Sequence, residues 1–233
     1  MISDIELLKN GERVDDLQLD GLRIIQHPDY FAFGTDAVLL SNFAQVHKGQ
    51  RHLDLCTGSG IVPILLTSKT KGESFAGVEI LEYMAGMAAR SVALNGLCGK
   101  LSIVKGDLRD KALFPKVSFD VITANPPYMP VGGGAASVND HKAIARHEVM
   151  CKLEDVIEAA SRLLVPNGKF YMIHRPSRLG EIFSLFERYG LAAKVLQFVH
   201  PRVGEAPNLV LVQATKGGSL MDIKFKEPLV VHG

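Results

Sequence analysis

From residue 52 onward the chain alternates between two rhythms. Short runs of branched, aromatic and other apolar residues read as strands at 52–56, 75–79, 101–104, 119–124, 169–174, 194–199 and 209–214. Longer segments between them repeat apolar residues every three or four positions, the spacing of one helix face. At 81–95, Met84, Ala88 and Val92 share a face and Gly96 stops the helix. At 153–164, Val156, Ile157, Ala160, Leu163 and Leu164 form a stripe ended by Asn167-Gly168. Shorter helical segments fall at 60–68 and 178–189.

Strands alternating with helices predict the α/β class. The expected architecture is a Rossmann-like, seven-stranded, mostly parallel sheet with helices on both faces. The last two runs have no helix between them, so they are expected as an antiparallel edge hairpin. Upstream, residues 1–20 are acidic and polar, with Asp15-Asp16 and Asp20-Gly21 as turn material. Residues 22–26 read as a short strand, and Thr35 or Asp36 as the N-cap of a helix running through Phe43. The expected division is an N-terminal extension at 1–48 packing on a core at 49–216, then a tail at 217–233. Residues 219–233 carry no motif and read as a disordered extension. The glycine-rich stretch 131–136 reads as a mobile loop between strand and helix.

A length of 233 residues suits this single core and lets it bury enough apolar surface without staples. With 47% hydrophobic and 22% charged residues, the composition is that of a soluble globular protein. Cys56, Cys98 and Cys151 lie far apart with no Cys-x-x-Cys, which points to reduced thiols, a cytoplasmic location and no zinc site. The apolar runs are far shorter than the roughly 20 residues a membrane helix needs. The acidic start lacks the basic segment of a signal peptide. Net charge is +1, with 13 Lys/Arg against 16 Asp/Glu in residues 1–140 and 13 against 9 in 141–233. The mildly basic second part allows a phosphate-bearing partner without requiring one.

In an open parallel sheet, ligands bind beyond the carboxyl ends of the strands. The first such end carries Asp54-Leu55-Cys56-Thr57-Gly58-Ser59-Gly60, whose glycines allow a tight turn and close approach to a ligand. Glu79 ends the next strand, where an acid can accept hydrogen bonds from a ribose diol. Asp107 follows the third strand, placed to accept from an adenine amino group. Cys56 and Ser59 break the G-x-G-x-x-G pattern, so the pyrophosphate-cradling fingerprint is missing. A nucleoside cofactor without phosphates fits better.

The fourth strand runs into Asn125-Pro126-Pro127-Tyr128. Two prolines fix φ and remove two N–H donors, and they keep Asn125 and Pro126 out of the helical region. The loop is therefore stiff, with unclaimed carbonyls. The Asn125 side-chain oxygen and the Pro126 carbonyl can grip both hydrogens of a planar NH2 group, while Tyr128 offers a flat face to a base or amide. This arrangement serves methyl transfer to nitrogen: two fixed acceptors aim a weakly nucleophilic lone pair and stabilise the positive charge that develops there.

On these residues the chain resembles the class I S-adenosylmethionine (SAM)-dependent methyltransferases of the Asn-Pro-Pro-Tyr type. Within them it most resembles the bacterial family that methylates N6 of an adenine beside the anticodon of valine tRNA. The resemblance covers about residues 20–216. It rests on Phe33-Gly34-Thr35-Asp36-Ala37-Val38-Leu39-Leu40, the loop from Leu53 to Gly60, Glu79, Asn125-Pro126-Pro127-Tyr128, Ala145-Arg146-His147-Glu148 and His200-Pro201-Arg202. It implies SAM as cofactor, in a pocket lined by Asp54, Cys56, Thr57, Gly58 and Gly60. Glu79 with Ile80 would hold the ribose, Asp107 with Leu108 would meet the adenine, and Thr35 and Asp36 would sit near the methionine end. Asn125, Pro126, Pro127 and Tyr128 would be catalytic, and Tyr128, Arg146, His147, His200 and Arg202 would contact substrate. Cys56 replaces the commoner glycine. His147-Glu148 is not a zinc motif, because no second histidine follows at the required spacing.

A tRNA adenine is thus the expected acceptor, with no metal, no membrane partner and no implied oligomeric state. A glutamine amide presents the same NH2, so protein-glutamine methylation is the alternative, but such families carry a sizeable helical domain before the core. Adenine in DNA and guanine N2 in ribosomal RNA are further alternatives. A non-catalytic SAM-binding module would not need the intact tetrapeptide.

Overall fold

A computed structural model of the chain describes residues 7–30, 33–114, 119–128, 151–219 and 221–232. Strands β1 (Arg13–Asp16) and β2 (Arg23–Gln26) pair antiparallel in a small separate sheet. Asp15-Asp16, expected as turn, lies in β1 instead. The Asp15 carboxylate accepts from Arg13 at 2.9 Å and from Gln26 of β2 at 2.5 Å, the second a partner its own sequence neighbourhood does not reveal. The turn comes later, where Gln18, Asp20 and Gly21 take positive φ. Helix α1 (Thr35–Phe43) is capped by extended Gly34, one position before the expected Thr35. Asp36 falls in its first turn, where the helix dipole favours an acid.

The main sheet is built from β3 (Arg51–Leu55), β4 (Ser74–Glu79), β5 (Leu101–Lys105), β6 (Phe119–Ala124), β7 (Leu164–His174), β8 (Leu191–Arg202) and β9 (Leu209–Lys216). Its helices are α2 (Ile61–Lys69), α3 (Glu82–Leu94), α4 (Leu153–Leu163) and α5 (Leu179–Arg188). The seven strands run in the order β8-β9-β7-β6-β3-β4-β5, and β9 is antiparallel to both neighbours. This is the expected Rossmann-like sheet with its edge hairpin. Strand β7 starts at Leu164, earlier than the expected residue 169, because its first part crosses a bulge. The register jumps from Phe119↔Leu164 to Val121↔Lys169, and Asn167 takes φ 63°. Asn167-Gly168 therefore turns the strand and does not end the helix, which stops at Leu163.

The tail also departs from expectation. Residues 224–225 and 229–232 form β10 (Lys224–Phe225) and β11 (Leu229–His232), both pairing parallel with β8. An edge strand presents unpaired N–H and C=O groups; here the tail engages them, with Lys226 N–H donating to the Leu196 carbonyl at 2.9 Å.

Two apolar layers cover the sheet. Leu53, Leu55, Ile122, Phe170 and Met172 face α4 and α5, through Val156, Ile157, Ala160, Ile182 and Phe186. Val121, Tyr171, Ile173 and Leu211 face α1 and α2, through Leu40, Phe43, Ile61, Ile64 and Leu65. The strand order reverses between β3 and β6. Their register pairs Leu55 with Ala124, so the loops starting at Cys56 and Asn125 leave the sheet side by side. That switch point is where a crevice must open.

Candidate active site

At the end of β3, Asp54 is buried at 2% exposure. It accepts hydrogen bonds from the hydroxyls of Thr123 (2.5 Å) and Thr57 (2.7 Å). Because the Thr123 proton goes to Asp54, His52 Nε2 must donate to Thr123 Oγ1, at 2.9 Å. A buried polar chain thus ties β3 to β6. Burial pushes the Asp54 carboxyl up to about 7, opposed by the two hydroxyls and reinforced by the nearby Glu79 charge. An unfolded aspartate titrates near about 4. Between those values the folded state holds a proton that the unfolded state has lost. Asp54 therefore contributes stability that is full below about pH 4 and lost as pH rises through about 7. His52 and His174, lowered by burial to about 3 and about 4, act in the opposite sense below the usual histidine range. The difference between wild type and Asp54→Asn isolates the aspartate. Urea unfolding across pH 4 to 8 should show a steeper decline for wild type, and parallel profiles would refute the assignment.

The loop that follows curls through three left-handed residues, Cys56 (φ 57°), Gly58 (φ 57°) and Gly60 (φ 82°). Cys56 takes the conformation that glycine adopts without penalty, at a cost on the order of 1 kcal/mol. The curl lets Gly58 N–H donate to Glu79 Oε2 at 2.9 Å, while Glu79 Oε1 accepts from Leu81 N–H at 2.9 Å. Glu79 is only 7% exposed, and burial raises its pKa. Gly77 leaves room for Thr57: a Cβ there would stand 2.7 Å from Thr57 Oγ1.

At the end of β6, the Tyr128 hydroxyl sits 2.8 Å from Asp36 Oδ2 and 2.5 Å from the Asn125 side-chain oxygen. The edge of buried His174 meets the Tyr128 ring at 5.3 Å, and the Arg175 guanidinium lies 5.2 Å over the ring. Arg178 Nη1 reaches the Tyr128 carbonyl at 3.4 Å. Burial and the Asp36 carboxylate raise the Tyr128 phenol well above its usual range. Tyr128 is therefore anchored through its hydroxyl, and a guanidinium occupies one face of the ring.

These elements converge on a cavity of about 320 Å3. Of the residues singled out from sequence, Asp36, Asp54, Cys56, Thr57, Gly58, Glu79, Ile80, Asp107, Leu108 and Asn125 to Tyr128 line it. Thr35 and Gly60 are not among the lining. Thr35 opens α1 exposed to solvent, and Gly60 faces α3, where a Cβ would stand 3.2 Å from that of Ala88. Asp107 lines the cavity with its carboxylate paired to Arg109, which lowers its pKa. His200 and Arg202 are outside the cavity, at the same end of the sheet, bonded to the Glu205 carbonyl and carboxylate respectively. Arg146 and His147 lie outside the described residues, as does the glycine-rich stretch 131–136. Sequence reasoning missed Phe33, Met84, Cys151 and Arg175. Arg175 follows the end of a parallel strand, the position that flagged Glu79 and Asp107, and the same rule finds it. Among the described residues, no cluster of three metal-ligating side chains occurs, and no helix is long and apolar enough to cross a membrane.

A switch-point cavity with acids at three strand ends and a diproline elbow at a fourth defines a Rossmann-like methyltransferase. The chain belongs to the methyltransferase small domain family, which matches residues 23–198. Among its relatives is the tRNA1(Val) (adenine(37)-N6)-methyltransferase of Aeromonas salmonicida, 30% identical over 185 residues, covering 79% of this chain and 76% of that protein. The enzyme of the same name from Porphyromonas gingivalis is 28% identical over 207 residues, covering 85% and 80%. Solved structures share the fold. A predicted O-methyltransferase, protein Atu636 from Agrobacterium tumefaciens, superposes with a TM-score of 0.67 at 24% identity, covering 84% of this chain and 88% of that one. P. horikoshii TYW2 in complex with MeSAdo gives 0.64 at 14% identity, covering 90% and 73%.

Proposed function

We propose that this chain methylates the exocyclic N6 of an adenine in tRNA, with SAM as methyl donor. The observation that carries the reading is the opening of the Asn125-Pro126-Pro127-Tyr128 elbow into the same cavity as Glu79 and Asp54. The relatives' names supply the acceptor.

The donor set suits SAM. A carboxylate has about four acceptor positions; Gly58 and Leu81 N–H occupy two on Glu79, leaving capacity for a ribose diol. Burial disfavours the ionised forms of Asp54 and Glu79, and a ligand of net positive charge beside them would favour those forms. Asp107 and Leu108 would meet the adenine, and Asp36 the methionine end. When bound, SAM supplies an electrophilic methyl group on a sulfonium sulfur. The chain's own task is positioning. Asn125 Oδ1 and the Pro126 carbonyl accept the two N–H groups of the incoming amine and hold its lone pair in one direction. The same oxygens stabilise the charge that builds on nitrogen, so no strong base is needed. A base in an anticodon loop is unpaired or easily flipped. His200 and Arg202, with Arg146 and His147, are the proposed RNA contacts.

The test incubates the protein with methyl-labelled SAM and separate pools of unmodified tRNA, ribosomal RNA, DNA and protein. Label is expected in tRNA, recovered as N6-methyladenosine by nucleoside mass spectrometry. Activity should fall steeply between about 50 and 200 mM salt, as phosphate contacts are screened. Label confined to protein, with a flat salt response, would replace the reading with glutamine methylation.

A further inference from the structure

The Tyr128 hydroxyl has one proton and stands between two oxygens, Asp36 Oδ2 and Asn125 Oδ1. Only one of them can accept that proton. A carboxylate is the stronger acceptor, so the proton belongs to Asp36. Tyr128 Oη then turns a lone pair toward Asn125, and a contact of 2.5 Å with a carbonyl oxygen would set two acceptors against each other. A half turn of the amide, which exchanges its oxygen and nitrogen without changing its shape, removes the conflict.

We infer that Asp36 is a positioning residue that sets which way the Asn125 amide faces. By taking the Tyr128 proton it leaves Tyr128 as an acceptor, and the Asn125 NH2 donates to it. The Asn125 oxygen is thereby directed to the opposite side, away from Tyr128 and free to accept from an incoming amine. Without Asp36, the Tyr128 proton goes to Asn125 Oδ1, and the amide presents its NH2 to the substrate NH2, donor against donor. The inference rests on reading the elbow as catalytic.

The surroundings hold each member in place. The second Asp36 oxygen, Oδ1, accepts the Ala37 N–H at 3.0 Å, at the start of α1. Gly34 makes room for that oxygen, because a Cβ there would stand 2.8 Å from it. The Tyr128 ring is held by the edge of His174 and the Arg175 guanidinium. Pro126 and Pro127 restrict the backbone beneath Asn125.

A double-mutant cycle on kcat tests this, with saturating SAM and unmodified tRNA. Asp36→Ala should lower kcat roughly tenfold or more, in line with the loss of a correctly aimed acceptor. In the Tyr128→Phe background, which keeps the ring and removes the conflicting proton, the same substitution should change kcat less than about threefold. Equal losses in both backgrounds would overturn the inference. Should Asp36→Ala fail to fold, Asp36→Leu, which is close in shape and has no acceptor, serves in the same cycle. A second readout needs neither cofactor nor turnover. In the nitrogen-15 NMR spectrum of the free protein, the Asn125 side-chain NH2, identified by its loss in Asn125→Ala, should have one proton move upfield on Tyr128→Phe. An unmoved pair would also overturn it. The two readings fail separately: a fully active Asn125→Ala removes the catalytic elbow, whereas an inactive Asn125→Ala with an uncoupled cycle removes only the role of Asp36.

Discussion

Asn125→Ala is expected to lower kcat at least ~100-fold while SAM affinity stays within a few-fold of wild type. The amine nitrogen of adenine is delocalised into its ring and attacks poorly. Its reactivity depends on being held with its lone pair aimed at the methyl carbon, and that is what a rigid pair of acceptors supplies. Alanine keeps the backbone path, because Pro126 and Pro127 still restrict φ, but it removes one of the two acceptors. The proposed cofactor contacts centre on Asp54, the Gly58 turn and Glu79, all on residues other than Asn125, so binding should survive. Single-turnover methyl transfer and calorimetric titration with SAM separate the two effects. A near-wild-type rate would take Asn125 out of the mechanism. A parallel loss of affinity would make it a cofactor ligand instead.

Glu79→Gln and Glu79→Ala should both weaken SAM binding tenfold or more, about 1.5 kcal/mol, through loss of charged hydrogen bonds to the ribose. The structure adds a second consequence. Glu79 also holds Gly58 N–H and Leu81 N–H, both at 2.9 Å, so it braces the cofactor turn against the start of α3. Alanine leaves those two donors without their acceptor, at about 1–3 kcal/mol each where they are buried. Glutamine keeps one oxygen and sets an NH2 against the other donor, so its stability loss should be smaller. Urea midpoints are thus expected in the order wild type, Glu79→Gln, Glu79→Ala. Unchanged SAM affinity in calorimetry for the folded Gln variant would refute the ribose assignment.

The difference between these variants shows how the site was and was not visible in the chain. Glu79 could be named from the sequence because it ends a strand, and strand ends in a parallel sheet face the ligand crevice. Its bracing of Gly58 could not, since that bond spans 21 residues and depends on Cys56 adopting a left-handed turn. Cys56 was a departure from pattern in the sequence. In the fold it bends as the glycine would, with strain, so the cofactor loop keeps its path.

Much of the architecture follows from local periodicity. Apolar runs alternating with helical stripes imply βαβ units, and those imply a parallel sheet with a crevice at its switch point. The diproline elbow is legible for the same reason: its stiffness comes from covalent geometry and needs no distant partner. Other features depend on residues far apart in the chain meeting in space. Asp36 reaches Tyr128 across 92 positions, and the N-terminal β1 and the C-terminal β10 and β11 become strands only because a partner edge lies beside them. Propensity acts over one turn of chain, whereas hydrogen-bond closure between distant segments is set by packing, and only the packed molecule displays it.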